Sequence, residues 1–341
     1  MLICNKKTIL FGVLLSCFFA TQSFTQTRLT AQSIMKFLNI GVGAKASGMG
    51  DCYTSNLEDA SVIFWNPAGL AALSGKNAFL DQNLWIADIK QYSFAYTHHL
   101  GNWGVMGVSA TYMDYGDIYG TTIDLVAATS GSFEYVETGK VDVGNYALGL
   151  AYARAISSQF SIGAHFKYVY SNLGSNTILE NSVPETMQNT LKALAIDIGT
   201  WYKTGYKGIS FLMALRNFSR EVNYPKIQQS YYLPLIFSIG FAADALRFIP
   251  SIDEKHSLIV ACKGLHPMDY LEKGSIGLEY SFNKRVFLRS GYKINFSLEN
   301  FSFGLGLRQK INDRLALCFD YSYANMKYFS GANRFSFAFS F

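Results

Sequence analysis

From about residue 77 to its last residue, the chain alternates between large apolar side chains and small or polar ones. Near the end, Phe335, Phe337, Phe339 and Phe341 alternate with Arg334, Ser336, Ala338 and Ser340. Successive strand residues point to opposite faces, so this segment carries one wholly Phe face. The pattern repeats in Leu315, Leu317, Phe319, Tyr321 and Tyr323, in Phe301, Phe303, Leu305 and Leu307, and in Ile276, Leu278, Tyr280 and Phe282. It also runs through Phe160, Ile162, Ala164, Phe166, Tyr168 and Tyr170. Period two over most of a chain dictates an all-β fold. The pattern predicts fourteen strands, near 77–86, 90–100, 103–113, 144–156, 160–172, 191–204, 208–217, 235–244, 256–265, 274–283, 285–293, 300–310, 313–324 and 332–341. Most span about ten residues, enough to cross a bilayer when tilted.

The connections carry independent information. They are tight after the second, fourth, sixth, tenth and twelfth predicted strands. They are long after the third, fifth and seventh, at about 114–143, 173–190 and 218–234. Short turns at one end and long loops at the other characterise outer-membrane barrels. A secreted β-sandwich also alternates, but composition argues against it. Only 16% of residues are charged and 16% are aromatic, including 27 Phe and 22 Tyr. A typical soluble domain is roughly 25% charged, and a wet surface needs that charge. No apolar run past residue 24 approaches the roughly 20 residues of a spanning helix. The chain therefore reads as a 14-stranded antiparallel transmembrane β-barrel, residues 77–341, with membrane lipid as a partner. Phe341 is a terminal aromatic on the last strand, an assembly signal of bacterial outer-membrane barrels.

Cost decides which face meets lipid. Arg or Lys on the lipid face near the midplane costs about 2–4 kcal/mol. Parity therefore puts Arg289, Arg308, Arg314, Asp320 and Arg334 in the lumen, together with Lys167, Asp197, Arg216, Lys263, Glu279 and Lys293. That predicts a polar lumen with excess positive charge. Arg154 shares a face with Tyr152 and Ile156, near a strand end where it reaches the interface.

Lys6 and Lys7 precede an apolar run over residues 8–20, the layout of a secretory signal peptide, here assigned to residues 1–25 with the cleavage point open. Leu14-Leu15-Ser16-Cys17 weakly resembles a lipobox. Export to the outer membrane is the expected outcome. Cys52, Cys262 and Cys318 remain beyond the leader. Their odd number and wide spacing give no disulfide framework and no metal site. A net charge of +5 without a dense Lys/Arg cluster gives no support to nucleic-acid binding.

Residues 26–76 break the alternation. Gly41, Gly43, Gly48 and Gly50 lie among small residues, a composition for close backbone packing in a confined space. Met49 stands where a phosphate loop would need Lys, so no nucleotide cofactor is implied. Asn66-Pro67 reads as an N-cap with Pro at the first helical position, starting a short helix through Leu73 that includes Ala68 and Gly69. A segment of this kind before a barrel suggests a hatch inside the lumen. Ile40-Gly41-Val42-Gly43-Ala44-Lys45-Ala46, Gly48-Met49-Gly50, Asp59-Ala60-Ser61 and Trp65-Asn66-Pro67-Ala68-Gly69-Leu70 resemble the N-terminal signature of the PorV/PorQ family, related to FadL-type outer-membrane proteins. The Asn-Pro-Ala element is also found in the FadL hatch. Asp51-Cys52 departs from the small residues usual at that point.

The resemblance implies a FadL-like barrel with two possible roles. PorV-type members bind the C-terminal signal domains of type IX secretion cargo and pass them, with other secretion components, to a surface attachment complex. FadL relatives pass small hydrophobic molecules through the barrel wall. Strands and hatch are common to both readings. The first long loop holds Tyr115, Tyr119, Phe133 and Tyr135 among acidic residues, a composition suited to partner binding as well as to a loop folded over the barrel mouth. His98-His99 point to opposite faces and cannot chelate one ion. The acidic residues of the first long loop lack EF-hand spacing. No G-x-S-x-G, H-E-x-x-H or tight Ser/His/Asp set stands out along the chain, so no enzyme activity, cofactor or metal is expected.

Overall fold

The computed structural model describes residues 33–53, 58–123, 135–180, 183–223, 229–249, 252–312 and 315–341. Eighteen strands occur in chain order: β1 Lys76–Leu84, β2 Lys90–His99, β3 Val105–Asp114, β4 Tyr119–Ile123, β5 Tyr135–Lys140, β6 Gly144–Ala155, β7 Phe160–Glu180, β8 Val183–Lys203, β9 Ser210–Ser219, β10 Val222–Asn223, β11 Ser230–Tyr231, β12 Ile236–Asp244, β13 His256–Pro267, β14 Lys273–Phe282, β15 Val286–Ile294, β16 Glu299–Lys310, β17 Ala316–Met326 and β18 Ala332–Ser340. Fourteen of them close into one barrel, in the order β1-β18-β17-β16-β15-β14-β13-β12-β9-β8-β7-β6-β3-β2. Every ladder is antiparallel. The ring closes where β1 meets β18, from Asn77 opposite Ser340 to Leu84 opposite Asn333. Closure leaves no unpaired edge, which a strand in lipid requires.

Three differences from the sequence reading concern the loops. The stretch 173–190 is not simply a loop: β7 and β8 run on through it as a long hairpin, paired as far as Glu180 opposite Val183. The first long loop likewise contains the hairpin β4–β5, and the third the two-residue ladder β10–β11. β5 is exposed along its whole length, so no buried face imposes an alternating pattern there, whereas Val222 of β10 is buried in one cluster with Met35, Phe37 and Leu233.

The two faces of the wall separate as parity predicts. Phe303, Leu305, Leu307, Leu288 and Phe337 are exposed on the outer face, while Glu279, Arg289, Lys293, Asp320 and Arg334 are buried. Arg314 lies outside the described residues. Arg154 is exposed one residue from the end of β6. Among the described residues no helix is long and apolar enough to cross a membrane.

The apolar core lies inside the ring. Ala44, Val62, Ile63, Ala68 and Leu70 have no exposure above 2%, and all belong to the segment that precedes β1. Val62, Ile63 and Leu70 contribute about 1.5–3 kcal/mol each on full burial. Among its described residues that segment holds one short α-helix, α1 Ala44–Gly48, and 3₁₀ turns over Lys36–Asn39, Ala60–Phe64 and Pro67–Ala72. The helix expected after Asn66 is thus a 3₁₀ turn. Its N-cap is as expected, with Asn66 Oδ1 accepting from the Ala68 N–H at 3.0 Å.

Candidate functional site

The N-terminal segment fills the lumen by matching glycines to glycines. A β-carbon on Gly48 would stand 2.9 Å from the Cα of Gly304 on β16. Gly50 has φ of 65°, and a β-carbon there would stand 3.1 Å from the Tyr292 nitrogen on β15. The helix and the wall share a contact that admits backbone only. On the opposite side of the ring, the Pro67–Ala72 turn packs on β6, β7 and β8. There Gly199 leaves room for the Asn66 side chain.

Asn66 does more than cap a turn. Its Nδ2 donates to the Thr200 carbonyl at 3.0 Å and the Met213 carbonyl at 3.2 Å. Thr200 on β8 and Met213 on β9 are direct cross-strand partners. One lumenal side chain therefore spans the β8–β9 seam. Beside it the Trp65 indole donates to the Val42 carbonyl at 2.9 Å. The Lys263 ammonium and the Arg216 guanidinium lie 4.5 Å and 5.3 Å from its ring centroid. Arg216 also donates to the Phe64 carbonyl at 3.2 Å.

The same seam is irregular. Ile196 pairs with Phe218 and Ile198 with Leu215, so Asp197 faces two residues, Arg216 and Asn217. This is a β-bulge. Asn217 takes φ of 62°. Both Arg216 and Asn217 are buried, and Phe218 returns to the outer face. Asp197 fixes the bulge by accepting from the Asn217 N–H at 2.7 Å and from Lys167 at 2.7 Å. Asn217 Nδ2 reaches the Pro234 carbonyl at 3.0 Å. The ladder between β9 and β12 begins only at Arg216 opposite Ile236.

A cavity of about 40 Å³ lies against this bulge. Phe37, Leu38, Ile40, Val42 and Phe64 of the N-terminal segment form its apolar side. Ser109, His165, Lys167, Asp197, Arg216 and Asn217 form its polar side.

Across the lumen the charges of the wall are paired. Arg289 donates to Glu279 and to Asp320, both at 2.6 Å. Lys293 bonds Asp51 and Glu299 at 2.5 Å each. Arg334 lies 3.8 Å from Asp51, and Arg308 pairs with Glu58. The N-terminal segment thus supplies Asp51 and Glu58 against the positive excess expected of the wall. Asp51 is the residue that departs from the small ones expected after Gly50, and its charge is used. Burial by itself raises its carboxyl, but the charges of Lys293 and Arg334 outweigh burial and hold it at about 2.

The residues singled out in the sequence fall into separate places. Gly41, Gly43, Gly48 and Gly50 line the contact around α1, and Asn66, Pro67, Ala68 and Gly69 sit at the opposite wall. Tyr119 and Tyr135 are exposed on β4–β5, whereas Tyr115 is half-buried against Met113 and bonded to Asn145. Phe133 lies outside the described residues. Phe341 holds the barrel closure, exchanging two backbone hydrogen bonds with Lys76 at 2.8 and 3.1 Å. Among the described residues no group of His, Cys, Asp and Glu could hold a metal ion. Sequence reasoning missed Asn217, although the polar pair Arg216-Asn217 before Phe218 is a break in parity. It also missed the meeting of Ser109 with His165, whose side chains come from separate strands.

A family model described as an uncharacterised protein family, UPF0164, matches residues 16–207. The chain belongs to UPF0164. No curated protein matches the sequence. Solved structures do resemble this UPF0164 chain in fold. The CymD monoaromatic hydrocarbon channel is 12% identical with a TM-score of 0.57, over 89% of this chain and 98% of that one. The Pseudomonas putida toluene transporter TodX is 12% identical with a TM-score of 0.56, over 92% and 99%. A Pseudomonas aeruginosa FadL homologue is 11% identical with a TM-score of 0.51, over 87% and 97%. The UPF0164 chain therefore has the FadL-like outer-membrane barrel fold.

Proposed function

We propose that the protein is an outer-membrane transporter that passes small hydrophobic molecules from its lumen sideways through the wall at β8–β9. The observation that carries this reading is the bulge at Asp197 opposite Arg216 and Asn217. It lies where a cavity with a Phe37, Ile40, Val42 and Phe64 side touches the wall. At about 40 Å³ the cavity is too small for a substrate, with room for only about three waters, so the structure corresponds to a closed state. The N-terminal segment then acts as a hatch whose displacement opens the path, and Asn66 ties that hatch to the seam. The likeness to barrels described as hydrocarbon and toluene carriers supports the same direction.

Deleting Asn217 tests the reading. Arg216 would still face inward and Phe218 outward, so the wall becomes regular without changing any other face. Uptake of a radiolabelled monoaromatic hydrocarbon by cells carrying the deletion should fall to that of cells lacking the protein, with the barrel still folded on unheated gels. Unchanged uptake in the deletion strain refutes lateral passage at this seam. The cargo-binding role implied by the PorV/PorQ resemblance rests on exposed Tyr119 and Tyr135 alone, and recovery of cargo C-terminal domains with the purified barrel is its test.

A further inference from the structure

Ser109, His165 and Asp197 come from three strands and lie in one line on the polar side of the cavity, Ser109 hydrogen-bonded to His165 and His165 within ion-pair distance of Asp197. Ser109 Oγ lies 2.9 Å from His165 Nε2. His165 Nδ1 faces Asp197 Oδ2 at 3.3 Å, and the two residues are direct cross-strand partners on β7 and β8. Ser109 on β3 is one strand further away, across β6. Gly149 of β6 stands between them, and a β-carbon there would lie 2.6 Å from Ser109 Oγ and collide with His165 Nε2. The glycine clears the line of contact. Asp197 Oδ1 is itself fixed by Lys167 and the Asn217 N–H. A carboxylate beside Nδ1 favours the tautomer protonated there, which leaves Nε2 free to accept from a hydroxyl; in this closed state Nδ1 itself has no hydrogen-bond partner, so a small turn of the ring is needed to complete the contact with Asp197. Arg216 lines the same cavity, and its Nε has no hydrogen-bond partner.

We propose that Ser109, His165 and Asp197 form a hydrolytic site for a carboxylic ester with an apolar acyl group, the acyl group lying against Phe37, Ile40, Val42 and Phe64. This goes beyond transport but rests on the same opening, because the cavity of about 40 Å³ admits an ester only once the N-terminal segment shifts. Ser109 Oγ attacks the ester carbonyl carbon while His165 Nε2 takes the hydroxyl proton. Collapse of the tetrahedral adduct breaks the bond to the alkoxide oxygen, which leaves as the alcohol with the proton from His165. A water, giving its proton to His165, then attacks the acyl carbon. The carboxylic acid leaves and Ser109 recovers its proton. Ser109 and His165 are the catalytic residues, and Asp197 is a positioning residue. The unpartnered Arg216 donor serves the oxyanion of the adduct.

The test uses the purified full-length barrel in detergent, treated with a fluorescent fluorophosphonate and assayed with p-nitrophenyl butyrate. Because the cavity is small, Phe37→Ala is run beside the wild type to widen access. Covalent labelling and ester hydrolysis are expected, and Ser109→Ala and His165→Ala should each lower both by at least about 100-fold. Ser238→Ala, on another strand, should leave both unchanged. Asp197→Asn should lower kcat while KM holds, and shift the pH profile of kcat. The proposal is overturned if neither wild type nor Phe37→Ala is labelled while both migrate as folded barrels, or if labelling survives in Ser109→Ala. Labelling with no hydrocarbon uptake would refute the transport reading alone.

Discussion

Replacing Arg289 by Met should destabilise the barrel without altering its outer surface. The guanidinium is about 1% exposed and is held between Glu279 and Asp320 at 2.6 Å on each side. Both acids are themselves buried, with side chains 1% and 5% exposed. Met fits the space of the Arg stem but removes the cation held between the two carboxylates. Removing one partner of a buried ion pair costs about 3–5 kcal/mol, mainly because the remaining charge stays buried and unpaired. At 3 kcal/mol the ratio of folded to unfolded barrel falls roughly 150-fold. Urea titration in lipid vesicles, read by the mobility of unheated samples on gels and by Trp fluorescence, measures this directly. The triple change Arg289→Met, Glu279→Gln and Asp320→Asn should recover most of the loss, since no charge then needs a partner. A loss below about 1 kcal/mol in the single variant, or no recovery in the triple one, would refute the reasoning that these charges are dry and mutually dependent.

Three further outcomes follow from the lumen. Asp51 has a folded pKa of about 2 against an ordinary 3.8, so its contribution of about 2 kcal/mol is complete above pH 4 and is lost as pH falls from 4 towards 2. Asp51→Asn should remove that acid-sensitive component from urea midpoints measured between pH 2 and 5. Asn66→Ala removes a cap and two donors to wall carbonyls; about 2–4 kcal/mol is expected, whereas Asn66→Asp should keep the cap and lose only the seam contacts. Gly50→Ala meets a positive φ and the wall backbone at once and should cost more than the roughly 1–2 kcal/mol of the backbone conformation. Gly116→Ala, with a similar φ of 67° in open space, should cost no more than that, and the difference between the two in urea midpoint measures the contact.

The barrel was legible because lipid on one side and a packed lumen on the other constrain every second residue. Phe335 to Phe341 and their polar neighbours could take only one register against β17 and β1. Where that double constraint ends, the sequence stops specifying structure. Beyond Asn172, β7 pairs only with β8, and the pattern there reads as loop. Gly48 and Gly50 announced close packing, but not which strands they meet. Gly304 and Gly291 looked like ordinary small lumenal positions, and only the fold brings them opposite α1. The β8–β9 site was hidden for another reason. Ser109, His165 and Asp197 sit at ordinary inward positions of three strands and Asn217 is the bulge residue of a fourth, and the register together with the empty place at Gly149 turns them into one cluster.

The glycine contacts between α1 and the wall also fix an order of events. The N-terminal segment touches β15 to β18 with α1 and β6 to β8 with the Pro67–Ala72 turn. It is therefore gripped from both halves of the ring, with no slack to slide along. The segment runs directly into β1, which pairs with β2 on one side and on the other with β18, far along the chain. A wall zipped shut first would have to admit a folded chain through gaps that fit bare backbone. The growing sheet must instead curl around a segment already lying in its hollow, and the joining of β1 to β18 seals it in. The segment is then a mandrel as well as a stopper, and a change at Gly48 or Gly291 should appear first as barrels that fail to close.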